Sequence, residues 1–286
     1  MRRASLLLLL TCSFYSQSET DRTINWIMVD FAPYYIMNDR YEGTGRDESV
    51  IKLIEKALPE YQFNHAFFPA SRAIHELSNP LNNYCMLSLY QSAHRKQHIA
   101  FTEHTSTVGL SPSVAIHKEL IAKLRLNPDQ PVSLKTLLKQ YKLTLGISMS
   151  RSFGKAIDEV INTNHDATII IRPGRDTLAS LTYMLKKRRI DILLGYPSEH
   201  YYLAHAMGFD NELTQLTLTE AAHLSEGYIG CTKNAQGLSH IKKLDNILES
   251  ITHQRSYRDI LLRWLPDNLK PILEKRLADR DENAAH

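Results

Sequence analysis

Residues 62–90 read QFNHAFFPASRAIHELSNPLNNYCMLSLY, and this stretch sets the fold class. The run 62–68 is rich in apolar and aromatic residues and predicts a strand. Pro69 suits the first turn of a helix, where its missing N–H costs nothing, and apolar residues then recur at helical spacing until Pro80 stops the pattern. A second strand is predicted over 84–90. A strand, a helix and a second strand in succession indicate a parallel sheet covered by helices.

The flanking sequence extends this pattern in both directions. Upstream, 24–29 is a β-branched run that predicts a strand, and Asp47 can cap a helix that ends at Pro59, which gives the order β-α-β-α-β. Downstream, a second unit is predicted from strands over 113–117, 143–148, 168–172 and 190–195, helices over 134–141 and 176–187, and a helix beginning near Ser152. The chain is then expected to form a strand over 228–232 and helices over 238–252 and 257–262, with a disordered tail after Arg276.

We therefore predict an α/β protein of two lobes, each a mainly parallel sheet flanked by helices. No glycine-rich spacer separates the two units, so short extended crossings near 104–111 and 220–227 are expected to join them. This arrangement makes lobe 1 discontinuous. We assign 19–107 and 224–286 to lobe 1 and 108–223 to lobe 2.

Residues 1–18 predict a cleavable secretory signal, with a basic start, an uncharged apolar run and then small polar residues. Ser16 and Ser18 supply the small side chains that a signal peptidase needs, so cleavage is expected after Ser18 and the protein is expected to be periplasmic. The alternative is lipoprotein processing at Cys12. No later segment approaches the roughly 20 apolar residues of a membrane-spanning helix.

Charge and cysteine content narrow the choice of partners. The 34 basic residues nearly balance the 31 acidic ones, and the formal net charge of +3 indicates no nucleic-acid partner. Cys85 and Cys231 follow the predicted signal and both lie in apolar, strand-like runs. In an oxidising compartment they form either a disulfide or two buried thiols, and the sequence leaves both open. No metal-binding or cofactor-binding motif is found, so neither is expected.

Two segments of lobe 1 resemble the periplasmic solute-binding proteins of family 3, whose best-known members bind polar amino acids for ABC importers. Residues 30–34, DFAPY, resemble the aromatic and proline segment that places a ring against the ligand. Residues 89–96, LYQSAHRK, resemble the family stretch that carries a threonine and an arginine, with Ser92 at the threonine position and Arg95 at the arginine position.

The resemblance continues through the rest of the chain. Residues 191–195, DILLG, resemble the strand that ends in the family's ligand-contacting acid, and residues 228–232, YIGCT, resemble the strand after the second crossing. Aromatic residues after Pro33 and the Tyr196–Pro197 pair resemble a poorly characterised branch of that family without a settled ligand. The resemblance implies a type II periplasmic-binding-protein fold, a solute site between the lobes, a monomer, and a membrane permease or sensor as partner.

Several residues are candidates for the site that the resemblance implies. Arg95 can hold a carboxylate or phosphate by two parallel hydrogen bonds, with the Ser92 hydroxyl beside it. In lobe 2, a strand-to-helix turn places free N–H groups and the positive end of a helix dipole near the cleft, which again favours an anion. That turn contributes Ser150, Arg151 and Ser152.

Tyr196 departs from the family pattern, because amino-acid binders carry there an aspartate that accepts the ligand's ammonium group. Glu199, one turn further on, is a candidate for the missing charge or else an exposed loop residue. Ring faces for the body of the solute are expected from Phe31, Tyr34, Tyr35 and Tyr90.

We therefore expect a binding protein for a small anionic solute that works with an ABC-type importer or a sensor. Two other functions stay open at this stage. One is a dehydratase-like enzyme on the same scaffold, with Glu199 as its general acid. The other is a stand-alone sensory ligand-binding protein.

Overall fold

The computed structural model describes residues 22–37, 40–149, 151–173 and 177–284. The predicted signal, with Cys12, lies outside these ranges. The strands are β1 Thr23–Met28, β2 Gln62–Phe67, β3 Cys85–Leu89, β4 Ile99–Leu110, β5 Ser113–His117, β6 Leu145–Ser148, β7 Ile169–Arg172, β8 Ile192–Gly195, β9 Leu213–Thr217 and β10 Leu224–Thr232. The helices are α1 Arg46–Ala57, α2 Ala70–Ser78, α3 Ala93–His98, α4 Lys118–Leu124, α5 Leu134–Lys139, α6 Lys155–Thr163, α7 Thr177–Lys186, α8 Pro197–Ala206, α9 Ala235–Ile251, α10 Arg255–Leu262 and α11 Lys270–Ala284.

The strands form two five-stranded sheets, and this confirms the two-lobed α/β fold. The first sheet has the order β2-β1-β3-β10-β4 and the second the order β7-β6-β8-β5-β9. In each sheet three strands run parallel, as the β-α-β pattern predicts. In the first sheet, β10 is antiparallel to both of its neighbours, β3 and β4. In the second sheet, β5 is antiparallel to both of its neighbours, β8 and β9. Each of these strands enters its sheet from the other half of the molecule. Both sheets are therefore mixed.

Each sheet has its own apolar core. In the first, Trp26 and Leu87 are buried under α1, whose inward face carries Val50, Ile51 and Ile54 at helical spacing. In the second, the short parallel strands β6 and β8 are buried along their whole length, which is typical of strands covered by helices on both faces. The spacing of apolar residues along the sequence therefore specifies the helices and strands of both cores.

Two long strands cross between the sheets. β4 and β10 pair antiparallel from Leu110 and Leu224 at one end to Ile99 and Thr232 at the other. β4 leads into β5 of the second sheet after two residues, while β10 receives the chain returning from β9. The cleft between the sheets is therefore bridged by a paired, two-stranded ribbon.

The expectation of a disordered tail after Arg276 is wrong. Helix α11 runs to Ala284, with Leu273 and Leu277 buried against the first core. Arg280 donates hydrogen bonds to Thr105 of β4, 3.1 Å away, and to Glu226 of β10. The tail is ordered because two leucines at i and i+4 give it a buried stripe, although its mean composition is strongly charged.

Candidate functional site

A cleft with two cavities lies between the two sheets. The inner cavity has a volume of about 270 Å³, and its walls come from β3, the loop after β1, the crossing strands and two lobe 2 loop residues, Arg151 and Tyr196. The outer cavity has a volume of about 760 Å³ and lies toward α3 and the start of α6. Residues of both lobes line both cavities, so the cleft can enclose a solute when the lobes approach each other.

The structure brings most of the predicted site residues into these walls. The inner cavity is lined by Phe31, Tyr34, Tyr35, Tyr90, Arg95, Arg151 and Tyr196. The outer cavity is lined by Tyr90, Ser92, Arg95, Ser152 and Tyr196. Ser150 lies outside the described residues, and Glu199 lines neither cavity.

The loop after β1 places two aromatic rings against the cavity. Phe31 and Tyr35 form a short antiparallel bridge, which turns the loop so that Tyr34 lies between them. The rings of Phe31 and Tyr34 lie 5.4 Å apart, and Phe31 is partly exposed. Tyr35 is almost fully buried, so this ring forms the cavity's base.

Arg95 lies in the first turn of α3, directly after the end of β3. Its backbone N–H donates to the Ser92 hydroxyl, 3.2 Å away, so Ser92 caps the helix as serines at helix starts usually do. The guanidinium Nη1 donates to the carbonyl of Tyr90 at 3.0 Å, and partial burial lowers the pKa of Arg95 below its usual value. Within the described part of the chain, no carboxylate pairs with Arg95. Its charge is therefore uncompensated at the junction of the two cavities.

Arg151, from lobe 2, closes over the inner cavity. Its guanidinium carbon lies 5.6 Å from the centre of the Phe31 ring and 5.2 Å from those of Phe153 and Tyr196. Nη2 donates to Glu199 at 2.5 Å. Burial lowers the pKa of Arg151, but Glu199, Tyr34 and Tyr196 together raise it above its usual value, so Arg151 stays charged. Unlike Arg95, this arginine has a carboxylate of its own.

Glu199 is fully buried, which corrects the expectation of an exposed loop glutamate or of a charge offered to the solute. It lies in the first turn of α8, where its Oε2 accepts a hydrogen bond from the backbone N–H of Tyr196 at 3.1 Å. Its Oε1 accepts from the Tyr34 hydroxyl at 3.1 Å and from Arg151. Both oxygens are thus occupied by the protein.

The turn before α6 also differs from its expected role. The helix begins at Lys155 rather than near Ser152. Asp158 accepts hydrogen bonds from the Ser152 hydroxyl and from the backbone N–H of Phe153, the latter at 2.9 Å. An N–H group expected to be free for an anion is therefore satisfied within the chain.

Tyr196 and Tyr90 meet across the cleft. Their hydroxyl oxygens lie 2.6 Å apart, and the Tyr90 hydroxyl also lies 3.1 Å from the Ser225 hydroxyl on β10. Burial raises the pKa of Tyr196, so its hydroxyl stays neutral. The tyrosine pair therefore ties the first sheet, the second sheet and a crossing strand together at the cleft.

Arg46 belongs to the inner cavity and was missed by the sequence analysis. It begins α1, donates from Nε to Asp47 at 2.7 Å and from Nη2 to the Ser88 hydroxyl at 3.1 Å, and stacks over the Tyr34 ring at 4.4 Å. The sequence signal is its position directly after Gly45, where the chain enters the first helix. Asp47, almost fully buried, balances its charge.

The structure joins Cys85 of β3 to Cys231 of β10 by a disulfide with an S–S distance of 2.01 Å. The two residues are direct partners in the antiparallel register of these strands, and both are buried. β3 carries Tyr90 at its end and β10 carries Ser225, so the disulfide holds two walls of the inner cavity in fixed register.

The described residues contain no group of three or more His, Cys, Asp or Glu side chains placed to hold a metal ion. In the same ranges, no helix combines the length and the apolar character needed to cross a bilayer.

Comparison with known proteins identifies the fold. No protein-family model and no curated protein sequence matches the chain. A solved histidine kinase sensor domain with similarity to periplasmic binding proteins is 13% identical, with 85% of this chain and 96% of that chain covered and a TM-score of 0.59.

Two transport proteins are similar to the same degree. A putative L-cystine ABC transporter protein from Listeria monocytogenes is 18% identical, with 86% of this chain and 97% of that one covered and a TM-score of 0.60. A Salmonella typhimurium periplasmic binding protein with high arginine specificity is 14% identical, with 86% and 100% covered and a TM-score of 0.58. The chain therefore has the two-lobed α/β fold of these binding proteins, as the resemblance predicted.

Proposed function

We propose that this chain is an exported solute-binding protein that closes its two lobes around a small anionic solute. One observation carries the proposal: the inner cavity is lined by residues from both lobes, and no carboxylate of the described residues pairs with its Arg95. Arg95 is half-buried, and an anionic solute would supply the missing partner through charge-assisted hydrogen bonds.

The other charges of the cavity support a single anionic group. Arg46 is paired with Asp47, Arg151 with Glu199 and the wall residue Glu226 with Arg280, so Arg95 is left as the cavity arginine without a carboxylate partner. We infer that the anion binds at Arg95 with the Ser92 hydroxyl nearby. Tyr34, Tyr90, Tyr196 and Phe31 then contact the body of the solute, as rings do in many concave sites.

The state of Glu199 supports binding rather than catalysis. A general acid must reach the reacting atom within hydrogen-bond distance, directly or through one water. Glu199 is fully buried, and its two oxygens are held by Tyr34, Arg151 and the Tyr196 backbone. Glu199, the general acid of the dehydratase hypothesis, therefore does not line the cavity.

We further propose that the paired strands β4 and β10 are the hinge. Lobe 1 then comprises 19–107 and 224–286, lobe 2 comprises 108–223, and closure is a rotation about the ribbon. The similar structures include importer binding proteins and a kinase sensor domain, so an ABC permease or a sensor is the expected membrane partner, with the protein acting as a periplasmic monomer.

A thermal-shift screen of the purified protein against carboxylates, amino acids, sugars, phosphate esters and polyamines tests the proposal, because a ligand of the folded state raises the melting temperature. We expect anionic solutes to give the largest shifts and to be recovered unchanged. Replacing Arg95 by Gln should weaken their binding by about 10- to 150-fold, the range for hydrogen bonds to a charged group.

Arg276→Gln is the matched control for Arg95→Gln. Arg276 is also partly buried, and its Nη1 likewise donates to a backbone carbonyl, that of His223, but it lines neither cavity. Its replacement should leave solute affinity unchanged. Binding of neutral or cationic solutes alone, or equal losses in both variants, would contradict an anion site at Arg95.

Sensing is the second candidate function, favoured by the similarity to the histidine kinase sensor domain. The two functions differ in what a strain lacking this protein loses. Loss of uptake of the bound solute would indicate import, whereas retained uptake with a lost transcriptional response would indicate sensing.

A further inference from the structure

No carboxylate among the described residues of the inner cavity is free to bind the ammonium group of a solute. We propose that its solute is a monocarboxylate with an aromatic or branched apolar body and no ammonium group. This inference rests on the proposed function and names the solute class for the same cavity.

Each nearby carboxylate is unavailable to a solute cation. Asp47 is 1% exposed and is bound to Arg46 at 2.7 Å. Glu199 is 0% exposed, with both oxygens occupied. At the end of β8, Tyr196 presents a neutral hydroxyl.

Glu226 is the remaining carboxylate in the cavity wall, and its side chain belongs to the hinge. Its Oε1 faces Arg280 of α11 at 3.5 Å and its Oε2 accepts from the Tyr228 hydroxyl at 3.3 Å. Both carboxylate oxygens of Glu226 are thus already engaged within the protein.

The rest of the wall is largely apolar, and its Ser88, Thr107 and Ser225 hydroxyls are hydrogen bonded within the protein. Besides the rings, five aliphatic side chains contribute to it, namely Val29, Ile74, Met86, Leu87 and Leu89. A sugar acid or a di- or tricarboxylate would leave hydroxyls or charges unpaired against such a wall, at a cost that a flat or branched hydrocarbon body avoids.

The inner cavity is small, with a volume of about 270 Å³. A phenyl or branched alkyl chain on a short carboxylate fits this space, with the carboxylate at Arg95 and the body among the Phe31, Tyr34 and Tyr196 rings.

Matched pairs of solutes test this by calorimetry on the wild-type protein. The pairs are 3-phenylpropanoate with L-phenylalanine and 4-methylpentanoate with L-leucine, and glutarate and citrate serve as polar anions. We expect at least one deamino member to bind about tenfold or more tightly than its amino acid, because the ammonium group finds no carboxylate. Glutarate and citrate should bind more weakly still.

Two substitutions at one position sharpen the test. Tyr196→Asp places a carboxylate at the end of β8 and should shift preference toward the amino-acid member of each pair. Tyr196→Asn removes the same ring without adding charge, and should weaken both members alike. The wild-type comparison decides the proposal even where a Tyr196 variant fails to fold.

The outcomes separate the two levels of inference. If glutarate or citrate binds best, or an L-amino acid binds as tightly as its deamino partner, the solute class is wrong while an anion site at Arg95 stands. If no anion binds the wild-type protein at all, the proposed function falls and this inference falls with it. A preference for amino-acid members that persists in Tyr196→Asn would also overturn it.

Discussion

Glu199 shows how one buried side chain links both lobes. It accepts hydrogen bonds from Tyr34 in the loop after β1, from Arg151 and from the Tyr196 backbone. Replacing Glu199 by Gln keeps the shape but leaves the Arg151 charge buried without a counter-ion. We expect the free energy of unfolding to fall by about 3–5 kcal/mol, as when a buried ion pair loses one partner.

Urea denaturation measures this change, and an exposed pair provides the control. Arg188 and Glu119 also lie 2.7 Å apart, but their side chains are 51% and 80% exposed. Glu119→Gln should therefore change the free energy of unfolding by less than about 0.5 kcal/mol. Equal effects of the two substitutions would show that the Arg151–Glu199 pair is no more than a surface contact.

His200, the neighbour of Glu199 on α8, makes stability depend on pH. It is buried against the Ser113 carbonyl, and burial lowers its pKa from 6.5 to about 4, partly opposed by Glu199. Between pH 6.5 and about 4, His200 is protonated in the unfolded chain but not in the folded chain. Stability is therefore fully present above pH 6.5 and is lost as the pH falls toward 4, by about 3 kcal/mol in total.

Denaturation between pH 7.5 and pH 4 checks this prediction. His200→Gln keeps a hydrogen-bond donor without a titrating group, so its stability should fall less steeply between pH 6.5 and 4. A slope that is the same in the wild type and in His200→Gln would place the pH dependence elsewhere.

At the scale of secondary structure, the disulfide joins two strands that are distant in sequence. Cys85 on β3 and Cys231 on β10 are 146 residues apart, and the chain between them includes the whole second sheet. In the chain-entropy model, closing a loop of that length stabilises the folded state by about 5 kcal/mol. The double variant Cys85→Ala/Cys231→Ala should lose most of that stability.

Each single cysteine variant should lose nearly as much as the double, because either one opens the same bond. Thiol titration of the denatured, unreduced wild-type protein gives an independent check at these two positions. Two reactive thiols there would show that the bridge does not form in the isolated protein, and the stability difference should then be small.

Several elements could be predicted from sequence because short-range patterns specify them. The apolar spacing of α1, the Pro69 start before α2 and the apolar runs of β5 and β8 each lie within a few residues of their predicted bounds. β4 is predicted only as a crossing, since the strand depends on pairing with β10, far away in sequence. The order of α11 depends likewise on a distant core that its charged sequence does not show.

In the candidate site, too, the sequence predicts what short-range patterns specify and misses what contacts between distant segments create. Arg95, Tyr90 and Tyr196 were found because they lie in motifs at strand ends. Arg46 was missed, since its place in the cavity depends on Ser88 and Tyr34, which are brought to it only by the fold. The burial of Glu199 was also hidden, because its partners come from separate segments and a glutamate near a turn is usually exposed.

For the whole molecule, contacts made by the chain itself already hold the lobes together. The Tyr34 hydroxyl donates to Glu199, the Tyr90 and Tyr196 hydroxyls meet, and an aromatic cluster crosses the lobes behind the cleft. In that cluster the Trp264 ring lies 5.1 Å from the Tyr41 ring and 5.0 Å from the Tyr202 ring. Closure thus has a protein-only component to which a solute adds.

Removing two of these hydroxyls should favour the open form of the solute-free protein. In Tyr34→Phe/Tyr90→Phe the rings remain, but two contacts across the cleft are lost, each worth about 0.5–1.5 kcal/mol. We expect the solute-free variant to open, with a larger radius of gyration by small-angle X-ray scattering and altered Trp264 fluorescence. Tyr183→Phe, at an exposed tyrosine on α7, should match the wild type.

A bound solute should reverse the opening, because it binds the closed form better and shifts the population by that difference in affinity. The variant should therefore close at a higher solute concentration than the wild type, with the same radius of gyration at saturation. If the variant is as compact as the wild type without solute, these hydroxyls do not hold the lobes. If the variant opens and does not close at saturation, the two tyrosine hydroxyls are needed for the closed form itself. The β4–β10 ribbon and the solute would then be unable to stabilise the closed form without them.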